Sequence, residues 1–305
     1  MKNILIRTDS SSSIGLGHVM RDLVLAKEYP NSNIIFATQN LKGNINKKIF
    51  ESGYDLKILQ SNNKKELVLL IKRLKIDLLI IDHYKITYKE EKYIKENSDV
   101  KILALDDTYE KHYCDILLNH NLGANPKKYK NLVPSFCKLK CGEKHTLLRD
   151  EFHKEKHKIQ NTKKSKVKTV FIAMGGVDYN NINIEILKTL SKFKNLKIHI
   201  ITTSSNNNLK KLKRYTTKIK NIKLHINTTQ IAKLMRKSDF AIITPSVTAN
   251  EAYFMGLPFI AIKTAENQKN LYNYLRRKRY LTLKKFSEKK LQQRVEMMLK
   301  VLKNA

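Results

Sequence analysis

The stretch "NILIRTDSSSSIGLGHVMRDLVLA", Asn3 to Ala26, decides the reading of the fold. An apolar run, "NILIR", ends in small polar residues. Two glycines follow, Gly15 and Gly17, then His18 and a helix-forming segment. A buried strand, a tight turn and a helix in that order form the opening half of a β-α-β unit. The chain has only 9 glycines in 305 residues, so two directly before a histidine ask for a reason. Glycine lets a backbone turn tightly and approach a ligand with no Cβ in the way. The helix start presents unpaired N–H groups that favour an anion. A histidine at that positive end is expected to hold its neutral form and to be able to accept a proton. The alternative role for His18 is a capping histidine beside a structural turn.

The same grammar continues along the chain. "NIIFAT", "LKIL", "DLLIID", "VKILALD" and "DILLN" read as further strands. Between them lie amphipathic segments such as "ELVLLIKRLK", with Leu67, Leu70, Ile71 and Leu74 at helical spacing. From Arg149 to Lys168 the chain becomes charged and poor in apolar residues, which reads as a linker or an exposed connecting helix. The alternation restarts with "TVFIAMGG", "LKIHIITTSS", "IKLHIN", "DFAIITPS" and "PFIAI". Short apolar strands between helices imply mostly parallel sheets. The expected organisation is α/β throughout: an N-terminal Rossmann-like domain over residues 1–148, a linker over 149–166, and a C-terminal Rossmann-like domain over 167–305. The last helix carries Leu291, Val295, Met298 and Leu302 on one stripe, a packing face.

Composition bounds the function. The formal net charge is +33, from 60 Lys and Arg against 27 Asp and Glu. A basic RNA-binding protein without catalysis is one reading of that charge. The lysines are spread along the whole chain and no nucleic-acid-reading motif accompanies them, so no specific nucleic-acid partner is expected. The field still attracts an anionic substrate. No apolar run reaches the roughly 18 residues of a membrane span, and no signal peptide is visible, so the expected location is the bacterial cytoplasm without membrane insertion. Three cysteines, Cys114, Cys137 and Cys141, suggest buried thiols rather than a disulfide framework or a zinc site.

In open α/β sheets ligands bind beyond the carboxyl ends of the strands. Arg7 and Asp9 close the first strand and are candidate substrate contacts. "IDHY", Ile81 to Tyr84, places a His-Tyr pair at another strand end, able to reach into a cleft or to close a surface loop. "LDD" offers the paired carboxylates Asp106 and Asp107, but adjacent residues of an extended chain point apart, and no metal site is expected. "AMGGVD" puts Gly175, Gly176 and Asp178 at a turn that could hold phosphate or be purely structural. Thr203 lies in the hydroxyl-rich "TTSS" after the next strand. "TPSVTANEAYFMGLPFIAI", Thr244 to Ile262, is the most specific segment. Ser246 and Val247 start a helix that can face phosphate, and Glu251 within it can accept two hydrogen bonds from ribose hydroxyls. Asn267 and Gln268 follow the next strand as amides able to read a sugar or to cap a helix.

Taken together, "GG-x-D … S-x-x-x-x-E … GLP" in the second domain resembles the MurG-like glycosyltransferase-B superfamily, whose second domain holds a UDP-sugar. "RTDSSSSIGLGHVMRDLVLA", "LLIIDHY", "VKILALDD", "CDILLN" and "CGEKHTLLRDEF" narrow the resemblance to the UDP-sugar hydrolases of pseudaminic acid biosynthesis. It runs up to about Arg279. The resemblance implies two Rossmann-like domains facing across a cleft (the GT-B fold) and a monomeric enzyme without metal or cofactor. The implied reaction is attack of water on the anomeric carbon of a UDP-diacetamido sugar, with inversion and departure of UDP. It implies His18 as base, with Tyr84 and Asn267 around the sugar. Gly175, Gly176, Ser246, Val247 and Glu251 match the UDP site. The product sugar would feed condensation with phosphoenolpyruvate to a nonulosonic acid, commonly for flagella. The competing reading within the superfamily is a glycosyltransferase passing the sugar to an acceptor.

Overall fold

The computed structural model describes residues 1–159, 168–178 and 181–304. The chain divides into two compact units, Met1–Leu147 and Leu148–Ala305. Both are parallel sheets with helices between the strands.

In the first unit the strands are β1 (Lys2–Thr8), β2 (Ser32–Gln39), β3 (Asp55–Leu59), β4 (Leu78–Asp82), β5 (Lys101–Leu105), β6 (Ile116–Asn119) and β7 (Lys138–Cys141). They form a 7-stranded sheet in the order β3-β2-β1-β4-β5-β6-β7. The helices are α1 (Gly17–Ala26), α2 (Asn46–Glu51), α3 (Lys64–Arg73) and α4 (Tyr88–Glu96). The apolar runs of these strands are continuous because both faces of the sheet are covered. Leu5, Leu79, Ile81 and Ile102 pack with Leu67, Leu70 and Ile71 of α3 and with Ile94 of α4. Their neighbours Ile4, Ile6, Ile80 and Leu103 point the other way and pack on Val19 and Leu23 of α1. The two-residue period of the strand sorts one unbroken hydrophobic run into two cores.

The second unit opens with α5 (Asp150–Lys156). It continues β8 (Lys168–Ala173), α6 (Ile182–Leu190), β9 (Leu196–Thr202), α7 (Leu209–Thr217), β10 (Ile222–Ile226), α8 (Ile231–Arg236), β11 (Phe240–Ile243), α9 (Val247–Met255), β12 (Phe259–Ile262), α10 (Lys269–Arg277), β13 (Leu281–Leu283) and α11 (Glu288–Asn304). The sheet order is β10-β9-β8-β11-β12-β13. Leu291, Val295 and Met298 of α11 are buried in its core, with Leu302 packed at the margin. The segment expected to be a linker begins as α5, whose Phe152 is fully buried. Residues 160–166 of that segment lie outside the described residues. Two short edge strands, β7 and β13, extend the sheets beyond the strands expected from the sequence. No helix among the described residues is long and apolar enough to cross a membrane.

In each sheet the strand order reverses once, between β1 and β4 and between β8 and β11. Such a switch point leaves a crevice at the carboxyl ends of the two central strands, where ligands bind in this architecture.

Candidate active site

In the first unit Thr8 and Asp82 are register partners at the carboxyl ends of β1 and β4. The serine run after β1 folds back on itself. Ser11 and Gly15 exchange backbone hydrogen bonds of 3.2 and 2.9 Å, and Ser11 Oγ accepts from the N–H groups of Ser13 and Ile14. Gly15 sits at φ +90°, a conformation L side chains rarely adopt, so this turn requires glycine. Gly17 is the first residue of α1, and a Cβ there would meet nothing within 4 Å. Of the two glycines, the backbone demands the first, and the second leaves open space at the helix start.

His18 follows on α1, buried. Its Nδ1 lies 2.6 Å from Asp82 Oδ1. At that distance from a carboxylate, Nδ1 carries the hydrogen and donates it. Arg21 Nη2 also lies 3.1 Å from Nδ1, but a protonated Nδ1 cannot accept from it. Arg21 instead binds Asp82 through Nε and Nη2, and reaches Asp107 through Nη1 at 3.2 Å. Asp107 in turn accepts from the Tyr84 hydroxyl at 2.9 Å. The Tyr84 ring meets the His18 imidazole edge-on at 4.9 Å between centroids, and Tyr84 is 48% exposed. The helix start, Tyr84 of "IDHY" and the second aspartate of "LDD" therefore meet at one place.

Burial alone would keep Asp82 from ionising. Arg21 and then His18 overcome it and hold the carboxyl well below the usual range. Asp22, one turn along α1 and fully buried, goes the other way. Burial and the charge of Asp82 push its carboxyl well above the usual range. His120, just past β6, is also buried. Burial, then Arg21 and His18, push it down to about 3 despite the opposing pull of Asp82, so its imidazole is neutral. Asp82, Arg21 and His120 were not singled out from the sequence. Asp82 sat inside the quoted "IDHY", but its partner depends on β4 lying beside β1.

Arg7 and Asp9 are brought to the same end of the sheet but lie inside it. Arg7 is fully buried and donates to Asp9 at 2.8 Å, to the carbonyls of Thr8 and Ala37, and to Asn62. Asp9 also accepts from the Gln39 N–H and from His83 Nε2. The Lys85 N–H donates to His83 Nδ1, which fixes the hydrogen of that ring on Nε2. Both tie β1, β2 and the "IDHY" loop together through these hydrogen bonds.

In the second unit Gly175 and Gly176 follow β8, with Gly175 exposed at φ +87°. Thr203 Oγ1 donates to the Gly176 carbonyl at 2.9 Å and so pins this turn from β9. Asp178 accepts from the Ile182 N–H at 2.8 Å and from Asn183 Nδ2 at 2.9 Å. Its carboxylate caps α6. Ser246 precedes α9, its hydroxyl 2.9 Å from Thr244 Oγ1 and not bonded to the helix, and Val247 opens the helix. Glu251 is buried on α9, and Arg149 donates to its Oε1 from Nη2 at 2.9 Å and from Nε at 3.3 Å. Asn267 is exposed in a short turn of 3₁₀ helix after β12. Gln268 folds its amide back, accepting from the Thr264 N–H at 2.8 Å and donating to Thr264 Oγ1 at 3.2 Å, which is the capping alternative.

Among the described residues no group of three His, Cys, Asp or Glu side chains could hold a metal ion. Asp106 accepts from the N–H groups of Thr108 and Tyr109 and from the Tyr129 hydroxyl at 2.7 Å, so the two aspartates of "LDD" have separate partners.

No family model matches the chain. It is 43% identical over 277 residues to the UDP-2,4-diacetamido-2,4,6-trideoxy-β-L-altropyranose hydrolase of Campylobacter jejuni, covering 91% of this chain and 97% of that enzyme. An uncharacterized protein of Methanocaldococcus jannaschii is 33% identical over 289 residues, 90% of this chain and 58% of that protein. Among solved structures, MurG of Acinetobacter baumannii superposes with a TM-score of 0.65 at 12% identity, covering 98% of this chain and 91% of that one. The spinosyn rhamnosyltransferase SpnG gives 0.63 at 10% identity, covering 98% and 92%. The fold is thus the GT-B fold of MurG and related glycosyltransferases, and the chain belongs to the family of the UDP-2,4-diacetamido-2,4,6-trideoxy-β-L-altropyranose hydrolase.

Proposed function

We propose that the protein hydrolyses UDP-2,4-diacetamido-2,4,6-trideoxy-β-L-altropyranose to UDP and the free sugar, in pseudaminic acid biosynthesis and without a metal. The observation that carries the mechanism is the 2.6 Å contact between His18 Nδ1 and Asp82. It fixes the tautomer, so that Nε2 is the ring atom with a lone pair. A water held against Nε2 attacks the anomeric carbon. The water's O–H proton passes to Nε2, a C–O bond forms on one face, and the bond from the anomeric carbon to the diphosphate oxygen breaks on the other. The electron pair leaves with UDP, and the configuration inverts. Asp82 balances the imidazolium as it forms, while Arg21 keeps Asp82 ionised. Tyr84, edge-on to His18 and partly exposed, contacts the sugar.

UDP is already a good leaving group, and what remains is to position it and to stabilise its charge. The second unit supplies both. The turn at Gly175 and Gly176 and the start of α9 at Ser246 and Val247 present backbone N–H groups to the diphosphate. Glu251 accepts the ribose hydroxyls. Asn267 contacts the sugar. The protein acts as a monomer in the cytoplasm.

The test is to incubate the enzyme with the UDP-sugar alone, with no acceptor and with excess EDTA. UDP is expected to appear at the full rate. A requirement for an acceptor would make the chain a transferase. Loss of rate restored by magnesium or manganese would overturn the metal-free mechanism.

A further inference from the structure

We propose that Arg149 is a positioning residue for nucleotide recognition: it occupies one carboxylate oxygen of the buried Glu251 and thereby holds the other, Oε2, ready to accept the ribose hydroxyls of UDP. This rests on the UDP reading above.

The geometry makes Arg149 a clamp with its own supports. Nε and Nη2 both reach Glu251 Oε1, at 3.3 and 2.9 Å. Nη1 meets Glu151 Oε1 at 2.6 Å, and the guanidinium lies over the Phe152 ring, 5.0 Å from its centroid. Arg149 immediately precedes α5, which packs on α8 and α9, so the clamp is built on rigid elements. Both of its contacts go to one oxygen of Glu251, Oε1, and none to Oε2. That asymmetry suits a carboxylate meant to receive hydrogen bonds from a ligand.

A carboxylate this buried needs a cation to remain charged. Burial pushes the Glu251 carboxyl up, Arg149 opposes that, and Glu151 adds to it. The other charged groups on the packed elements have different partners or places. On α5, His153 and Lys156 face the Phe254 ring, and Asp150 and Lys154 are exposed. On α8, Arg236 is paired with Glu155 at 2.6 Å and Lys233 is exposed. Strands β11 and β12 carry no charged residue. Arg149 is therefore the cation that opposes the upward push of burial on the Glu251 carboxyl.

The test is calorimetry of UDP binding to wild type, R149Q, R149K, E251Q and R149Q/E251Q between pH 6 and pH 9. R149Q is expected to bind about ten-fold more weakly at neutral pH, the difference between a charged and a neutral acceptor. Without Arg149, both burial and Glu151 favour the protonated carboxyl. Its charge is then present only above the raised pKa, so R149Q should regain affinity as pH rises. Wild type should lose affinity only toward acid. R149K should fall between the two, and the double variant should bind no more weakly than E251Q. Wild-type affinity in R149Q would overturn the proposal, as would a pH-independent loss that adds to that of E251Q, since the latter marks direct contact with UDP. E251Q binding as tightly as wild type would instead overturn the ribose reading itself.

Discussion

His18→Asn is expected to lower kcat by about 10²–10⁴, the usual cost of losing a general base, while UDP affinity stays close to wild type. The two effects separate because the proposal assigns the proton to the first unit and the nucleotide to the second. Asparagine keeps a polar side chain of similar reach and can still face Asp82, but it cannot take a proton from water. A base that works only when unprotonated gives a rate that falls on the acid side. That limb should be present in wild type and absent in the variant. The measurements are kcat against pH for both proteins and UDP affinity by calorimetry. A variant with near wild-type kcat would remove His18 as the base. A variant that loses UDP affinity instead would make it a diphosphate ligand.

Asp82→Asn should cost both rate and stability. The amide keeps the shape but not the charge that orients His18 and faces Arg21. Losing the carboxylate that orients a catalytic histidine costs up to about 10⁴ in kcat where it has been measured. Removing one partner of a buried ion pair destabilises by about 3–5 kcal/mol, because the other charge is left uncompensated. The sign of the pH dependence follows from the direction of the shift. The Asp82 carboxyl is held well below its ordinary value of 3.8, so its contribution is fully present above that value and is lost only as strong acid is approached. The variant should therefore be less stable than wild type throughout the neutral range, and the two should converge at low pH. Urea unfolding at several pH values, with kcat and KM at neutral pH, checks both parts. Wild-type stability and kcat together would mean that Asp82 neither braces nor orients the site.

The fold was legible because burial on both faces leaves unbroken apolar runs, and "NILIR", "DLLIID" and "DFAIIT" name their strands directly. Strands β7 and β13 were not. "KLKC" alternates lysine with apolar residues at a sheet edge, and "LTL" is too short for any period to show. At the site, the glycine turn, His18 and Tyr84 could be found from the rule that function sits at strand ends. The His18–Asp82 contact could not, because it joins residues 64 apart and needs the order of β1 and β4. Nor does the sequence show that Arg7, Asp9 and Gln268 hydrogen-bond within the frame. A polar side chain at a strand end has the same letter whether it meets a ligand or the frame, and only burial and partners separate the two. Arg149 was hidden for another reason. It opens a charged, apolar-poor stretch that reads as a connector, yet it turns inward to Glu251.

The central claim is that water, activated by His18, attacks the anomeric carbon. It is tested most directly by running the reaction in oxygen-18 water and following it by NMR from the first turnovers. The expected result is label on the anomeric oxygen of the free sugar, none on UDP, and the α anomer formed first from the β-linked substrate. Label on the phosphate of UDP would place the attack at phosphorus, and a first-formed β anomer would mean retention; either result would contradict the mechanism.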